Sequence, residues 1–134
     1  MNLAERILNQ SHIRWTLAIG WTLLLTLFLL QPEADPLIDL GLPRGESTIL
    51  RELFYSALHV LAFALTSFIW FWTLRGALKP RHSLFAAVLI AIALGIITEA
   101  LQTLTLDRHA SVIDLIANFL GALSAAFFIW QRRL

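Results

Sequence analysis

The chain has 134 residues, of which 58% are hydrophobic and 14% charged, with a mean hydropathy of +0.74. Those values exclude a soluble domain of this length and point to an all-α integral membrane protein. A formal net charge of +1 gives no reason to expect nucleic acid, and the absence of cysteine removes disulfides, thiolate nucleophiles and Cys-ligated metals.

Residues Met1 to His12 form a polar lead, with Leu3, Ile7 and Leu8 placed to rest on a membrane surface as one or two amphipathic turns. Ile13 to Leu30 is the first run long and apolar enough to span a bilayer. Arg6 and Arg14 precede it as in a signal peptide, but Gln31-Pro32-Glu33 comes after it without the small-residue pair that cleavage needs, so it reads as a retained helix. The stretch 31–52 is a long polar loop punctuated by Pro32, Pro36, Gly41, Pro43 and Gly45, which keeps it in water. Ser47 or Thr48 can cap the second helix or its lead-in.

The second span is Leu53 to Leu74, with His59 about 9 Å below its start at helical rise and Trp70 and Trp72 at its far end. A basic turn, Arg75 to His82, contains Pro80, which stops any continuous helix. Leu84 to Leu106 and Val112 to Trp130 are the third and fourth spans. The turn between them is too short for anything but a reversal, so they are expected as antiparallel neighbours in a single domain, 1–134, of four transmembrane helices running up-down-up-down.

Lysine and arginine set the expected orientation, because cytoplasmic loops retain them. Arg6, Arg14, Arg75, Lys79, Arg81, Arg132 and Arg133 fall on one side, against Arg44, Arg51 and Arg108 on the other. Both termini are therefore expected in the cytoplasm, and Trp15, Trp70, Trp72 and Trp130 fall at the same inner interface.

Polar residues inside these spans are the candidates for function, since an unpaired ionisable group in a bilayer costs several kcal/mol. Glu99 and Gln102 share a face at i, i+3, and Asp114, Asn118 and Gly121 share one at i, i+4, i+7. Glu99 and Asn118 each lie roughly 10 Å below the outer face at helical rise, and His59 is at nearly the same depth. His59 and Glu99 are the candidates for acid-base chemistry, and Arg108 at the rim is the candidate for an anionic group. Each has a structural alternative. Glu99 and Asn118 serve equally well as interhelical clasps, and Ser111-x-x-Asp114 has capping-box spacing. Gly121-x-x-x-Ala125 reads as close helix packing. A metal site of His59, Glu99 and Asp114 has no diagnostic spacing, and no cofactor motif is present.

The run Glu99-x-x-Gln102, then Arg108-x-x-Ser111-x-x-Asp114-Leu115-Ile116-Ala117-Asn118-x-x-Gly121-Ala122, resembles the VanZ-like family of small membrane proteins, with His59 in the place of that family's helix-two histidine. Two positions depart from the family pattern. Tyr55-Ser56 stands where an Asp-Lys pair is common, and Ala125 replaces a late glycine. The family takes its name from a protein associated with low-level teicoplanin resistance. Cluster depth and the resemblance together lead to the expectation of a non-enzymatic envelope protein, with His59, Glu99, Gln102, Arg108, Asp114 and Asn118 forming an outer-leaflet pocket for a lipid-linked or lipoglycopeptide ligand. An intramembrane enzyme acting on a lipid head group and a purely structural or partner-binding protein are the alternatives. Membrane lipids are partners on any of these readings, and a proton-coupled carrier of four helices would require a homo-oligomer.

Overall fold

The computed structural model describes residues 3–32, 40–41, 48–104 and 111–133, without the side chains of 3–9 and 133. Among the described residues there are four helices and no strand: α1 (Leu3–Leu30), α2 (Ile49–Leu74), α3 (Pro80–Gln102) and α4 (Val112–Arg133). All four contain a stretch long and apolar enough to cross a membrane.

The helix ends obey local chemistry more than hydropathy. The first helix runs unbroken from Leu3 instead of starting at Ile13, because nothing between Leu3 and Ile19 breaks a helix; its membrane-length portion is Gln10–Leu30. The second helix begins at Ile49, ahead of the expected Leu53, where Thr48 in extended conformation accepts a hydrogen bond from the Arg51 N–H at 3.3 Å. No helix runs continuously through Pro80, but α2 has already closed at Leu74, and Pro80 instead opens α3, since its missing N–H costs nothing in a first turn. The third helix ends at Gln102 and not at Leu106. Leu104 N–H turns back to the Leu101 carbonyl, and the Thr103 hydroxyl donates to the Ala100 carbonyl at 2.7 Å, so apolar character outlasts the helix by a turn.

Helix α2 is the hub. It packs against α1, α3 and most extensively α4, whereas α1 touches α2 and α3 but, among the described residues, not α4. The buried stripe of α3 is Ser83, Ala87, Ala91, Gly95, Thr98, Glu99 and Gln102, small residues at helical spacing that end in polar ones. Small side chains let backbones approach, which is how packing holds helices together where apolar lipid removes any hydrophobic drive between them. Gly121 of α4 is the tightest case, because a Cβ there would run into the Val60 carbonyl of α2. Large apolar residues such as Leu23, Leu61 and Phe85 face outward, while Thr66, Ser67, Ser83, Thr98 and Asn118 are fully buried. Buried threonine hydroxyls donate to carbonyls one turn back, as Thr66 does to Ala62 and Thr98 to Leu94.

Polar contacts fasten α1 to the second half of α2. The Trp21 indole donates to Thr66 Oγ1 at 2.8 Å, the Trp70 indole to Thr22 Oγ1 at 3.0 Å, and the Thr73 hydroxyl to the Arg14 carbonyl at 3.2 Å. An indole buried against lipid needs such an acceptor.

Candidate functional site

The polar residues singled out from sequence lie on the buried stripes of α2, α3 and α4, at the end of the bundle where α2 and α4 begin and α3 finishes. His59 is on the α2 face that also carries Phe63, Thr66 and Ser67, and its ring is parallel to that of Phe63, one turn on. Asn118 is 1% exposed and packs against Gly95, where a Cβ would come within 3.2 Å of its own Cβ. The absent side chain at Gly95 is what admits the amide. Residue spacing assigns Gly95 no role, although a glycine in the middle of an apolar helix is itself a signal of close approach.

The imidazole is held from one side and faced by a carboxylate on the other. With the amide oxygen turned toward the ring, His59 Nδ1–H donates to Asn118 Oδ1 at 2.8 Å. In the neutral tautomer this leaves Nε2 as the lone-pair nitrogen, and Nε2 faces Asp114 Oδ2 at 4.0 Å. The Asn118 amide nitrogen is buried without an acceptor, a donor held ready inside an apolar bundle. Oriented imidazole, half-buried carboxylate and spare amide donor can together bind a polar group or exchange a proton with it.

Glu99 and Gln102 are drawn to other contacts. Ser111 N–H donates to Glu99 Oε2 at 2.8 Å, and Asp114 N–H donates to Ser111 Oγ at 3.2 Å. The expected capping box thus forms only in half. Ser111 caps in the ordinary way, but the carboxylate that answers its backbone N–H comes from Glu99 on α3, because Asp114 is turned toward His59. Gln102 reaches away from α4 and donates from Nε2 to the Leu29 carbonyl at the end of α1, at 3.0 Å. The six expected residues therefore divide into His59, Asp114 and Asn118 between α2 and α4, Glu99 at the start of α4, and Gln102 between α3 and α1; Arg108 lies outside the described residues. Among those described, no three His, Asp or Glu side chains gather closely enough to hold a metal.

Beside His59 lies a feature that hydropathy and spacing do not reveal, an apolar cavity of about 400 Å³ between α1 and α2. Trp21, Leu25, Phe28, Leu58 and Ala62 form much of its wall, and His59 and Tyr55 are its only titratable lining groups among the described residues. Trp21 was the available clue: an indole in mid-span, away from the interface belt, requires an internal partner.

Fold and site together define a multi-pass membrane protein, helical among the described residues, with buried His59 and Asn118 and half-buried Asp114 beside an apolar cavity. No family model matches the chain, and neither do any curated protein or solved structure.

Proposed function

We propose that this chain is a cell-membrane protein that binds a lipid-linked envelope component, or a lipoglycopeptide, and contributes to teicoplanin-type resistance or envelope homeostasis without catalysing a reaction. One observation carries this reading: the apolar cavity between α1 and α2 shares His59 with the polar cluster. Its volume falls in the range of small-ligand pockets, and an apolar chain lodged there brings its head group to His59, Asp114 and the spare Asn118 donor. Arg108 joins the proposal by position, in the segment between Gln102 and Val112, where it would meet an anionic head group. Glu99 and Gln102 shape the site by setting the start of α4 and the α1 to α3 contact.

The proposed setting is an up-down-up-down bundle with both termini in the cytoplasm, supported by the excess of Arg and Lys at Arg6, Arg14, Arg75, Lys79, Arg81, Arg132 and Arg133. Membership of the VanZ-like family is proposed on the same footing, from the Glu99 to Ala122 run and His59.

The test is thermal melting of purified protein in nanodiscs with and without a lipid-linked cell-wall precursor and a teicoplanin-type lipoglycopeptide. Wild type is expected to gain stability with at least one of them. Ala62→Trp, which fills the cavity, and Asp114→Asn are expected to fold and to lose that gain. A wild type indifferent to every such ligand would end the proposal. The fixed orientation of His59 also suits a general base, so turnover of an envelope lipid that disappears in His59→Gln would replace binding with catalysis.

A further inference from the structure

At the opposite end of α2, three arginines from three helices lie on aromatic rings. The Arg14 guanidinium of α1 is 4.9 Å from the Trp72 ring centroid, Arg75 at the close of α2 is 5.6 Å from Phe71, and Arg132 of α4 is 4.7 Å from Phe128. Between α2 and α4 lies a cavity of about 310 Å³, walled by Phe68, Phe71, Trp72 and Phe128 and edged by Arg75 and Arg132; Arg14 is not part of its lining. Sixteen residues separate His59 from Arg75, roughly 24 Å along a helix, so this is a second place and owes nothing to the first.

Among the described side chains, the charges here are unbalanced. Among the described residues no carboxylate pairs with Arg75 or Arg132, and Arg14 holds a buried Nε–H that has no acceptor. The acids with described side chains, Glu52, Glu99 and Asp114, belong to the first turn of α2, the last turn of α3 and the first turn of α4, all at the other end. Helix dipoles and cation–π contacts account for a cation at the close of α2 and α4. They do not account for the cavity between those cations, nor for Arg14, which belongs to the first half of α1.

An arginine pair beside aromatic walls, at the end of the spans where lipid head groups lie, is complementary to a molecule with a phosphate at one end and a hydrocarbon chain at the other. We propose that this cavity binds one anionic phospholipid. Arg75 and Arg132 hold its phosphodiester through the paired N–H groups that a guanidinium presents. Arg14 adds positive potential from behind Trp72, and an acyl chain runs along Phe68, Phe71 and Phe128. A zwitterionic lipid fits the walls equally well but carries a cation of its own beside the guanidinium groups, so head-group charge decides the preference.

Native mass spectrometry of the whole chain, released from detergent with equal phosphatidylglycerol and phosphatidylcholine, tests this directly. Wild type is expected to retain a single phosphatidylglycerol in preference to phosphatidylcholine. Arg75→Gln with Arg132→Gln is expected to lower that preference about tenfold, the loss of a charge-assisted contact. Lys79→Gln with Arg81→Gln removes the same charge from exposed positions at the start of α3, off the cavity, and is expected to leave the preference standing. Glycerophosphoglycerol, the head group without chains, is expected not to compete. Equal losses in the two double variants would mean diffuse surface charge and overturn the site, as would equal retention of the two lipids by wild type. Effective competition by the chain-free head group would mean an anion site without a lipid. The arginine side chains at 75 and 132 are exposed, and if the double variant fails to fold, either single substitution carries the same comparison.

Discussion

At the scale of single residues, Glu99 shows how a buried acid acquires a structural task, at the start of α4 and apart from the His59, Asp114 and Asn118 contacts. It accepts the Ser111 N–H, one of the four backbone donors that the start of any helix leaves unsatisfied. Glu99→Gln keeps an oxygen for that bond, whereas Glu99→Ala leaves none. The alanine variant is expected to lose about 1 kcal/mol as a missing cap does, and glutamine less than that. Melting in detergent checks this, and equal losses from both would remove the capping role. Asn118 makes a different case, because Asn118→Ala deletes an unsatisfied amide donor while stranding His59 Nδ1–H. The two changes offset, so stability is expected to move by no more than about 1 kcal/mol. The imidazole is nevertheless freed to turn, and a His59 ring resonance that sharpens or shifts in nuclear magnetic resonance would report it.

At the scale of helices, contact between α2 and α4 rests on Gly121 lying against the Val60 backbone. Gly121→Ala must push the two helices apart, since a carbonyl cannot rotate out of the way as a side chain does. Overpacking of this kind costs about 1–3 kcal/mol. Gly20 lies within α1 with nothing inside 4 Å of where its Cβ would be, so Gly20→Ala is expected to be neutral or stabilising by about 0.5–1 kcal/mol. Denaturation midpoints for the pair of variants give the comparison, and matching signs would show that close approach is not what Gly121 provides. Because Asn118 is one turn from Gly121, the separation should also lengthen the bond to His59.

At the scale of the whole molecule, the asymmetry of positive charge is the basis for the proposed orientation. Three of the counted arginines converge at one end in space: Arg14 meets Trp72 near the close of α2, and Arg75 and Arg132 edge one cavity. The chain contains no cysteine, so single cysteines can be introduced without background. Lys79→Cys is expected to resist an impermeant maleimide added to intact cells, and Gly41→Cys to react with it. The reverse pattern would invert the bundle and move the His59 site to the inner leaflet.

Helix number and approximate span were written in the sequence because bilayer thickness sets a minimum apolar length and proline marks a stop. Ends were less legible, since hydropathy registers what a residue prefers to touch and not where its N–H goes; the close of α3 at Gln102 depended on Thr103 and on backbone turns. Depth and helical spacing gathered His59, Glu99, Gln102, Asp114 and Asn118, with Arg108 at the rim, as one expected group, and did not separate His59, Asp114 and Asn118 from the others. Their mutual contacts were not legible, because which of several buried polar groups pair depends on helix rotation to within a few tens of degrees. Only the tertiary structure decided that Glu99 would cap α4, that Gln102 would reach α1, and that Gly95 would open a place for Asn118. The two cavities belong to that second category, with mid-span Trp21 the one hint of the cavity beside His59. A cavity is a space between chain segments far apart in sequence, and no residue spacing encodes it.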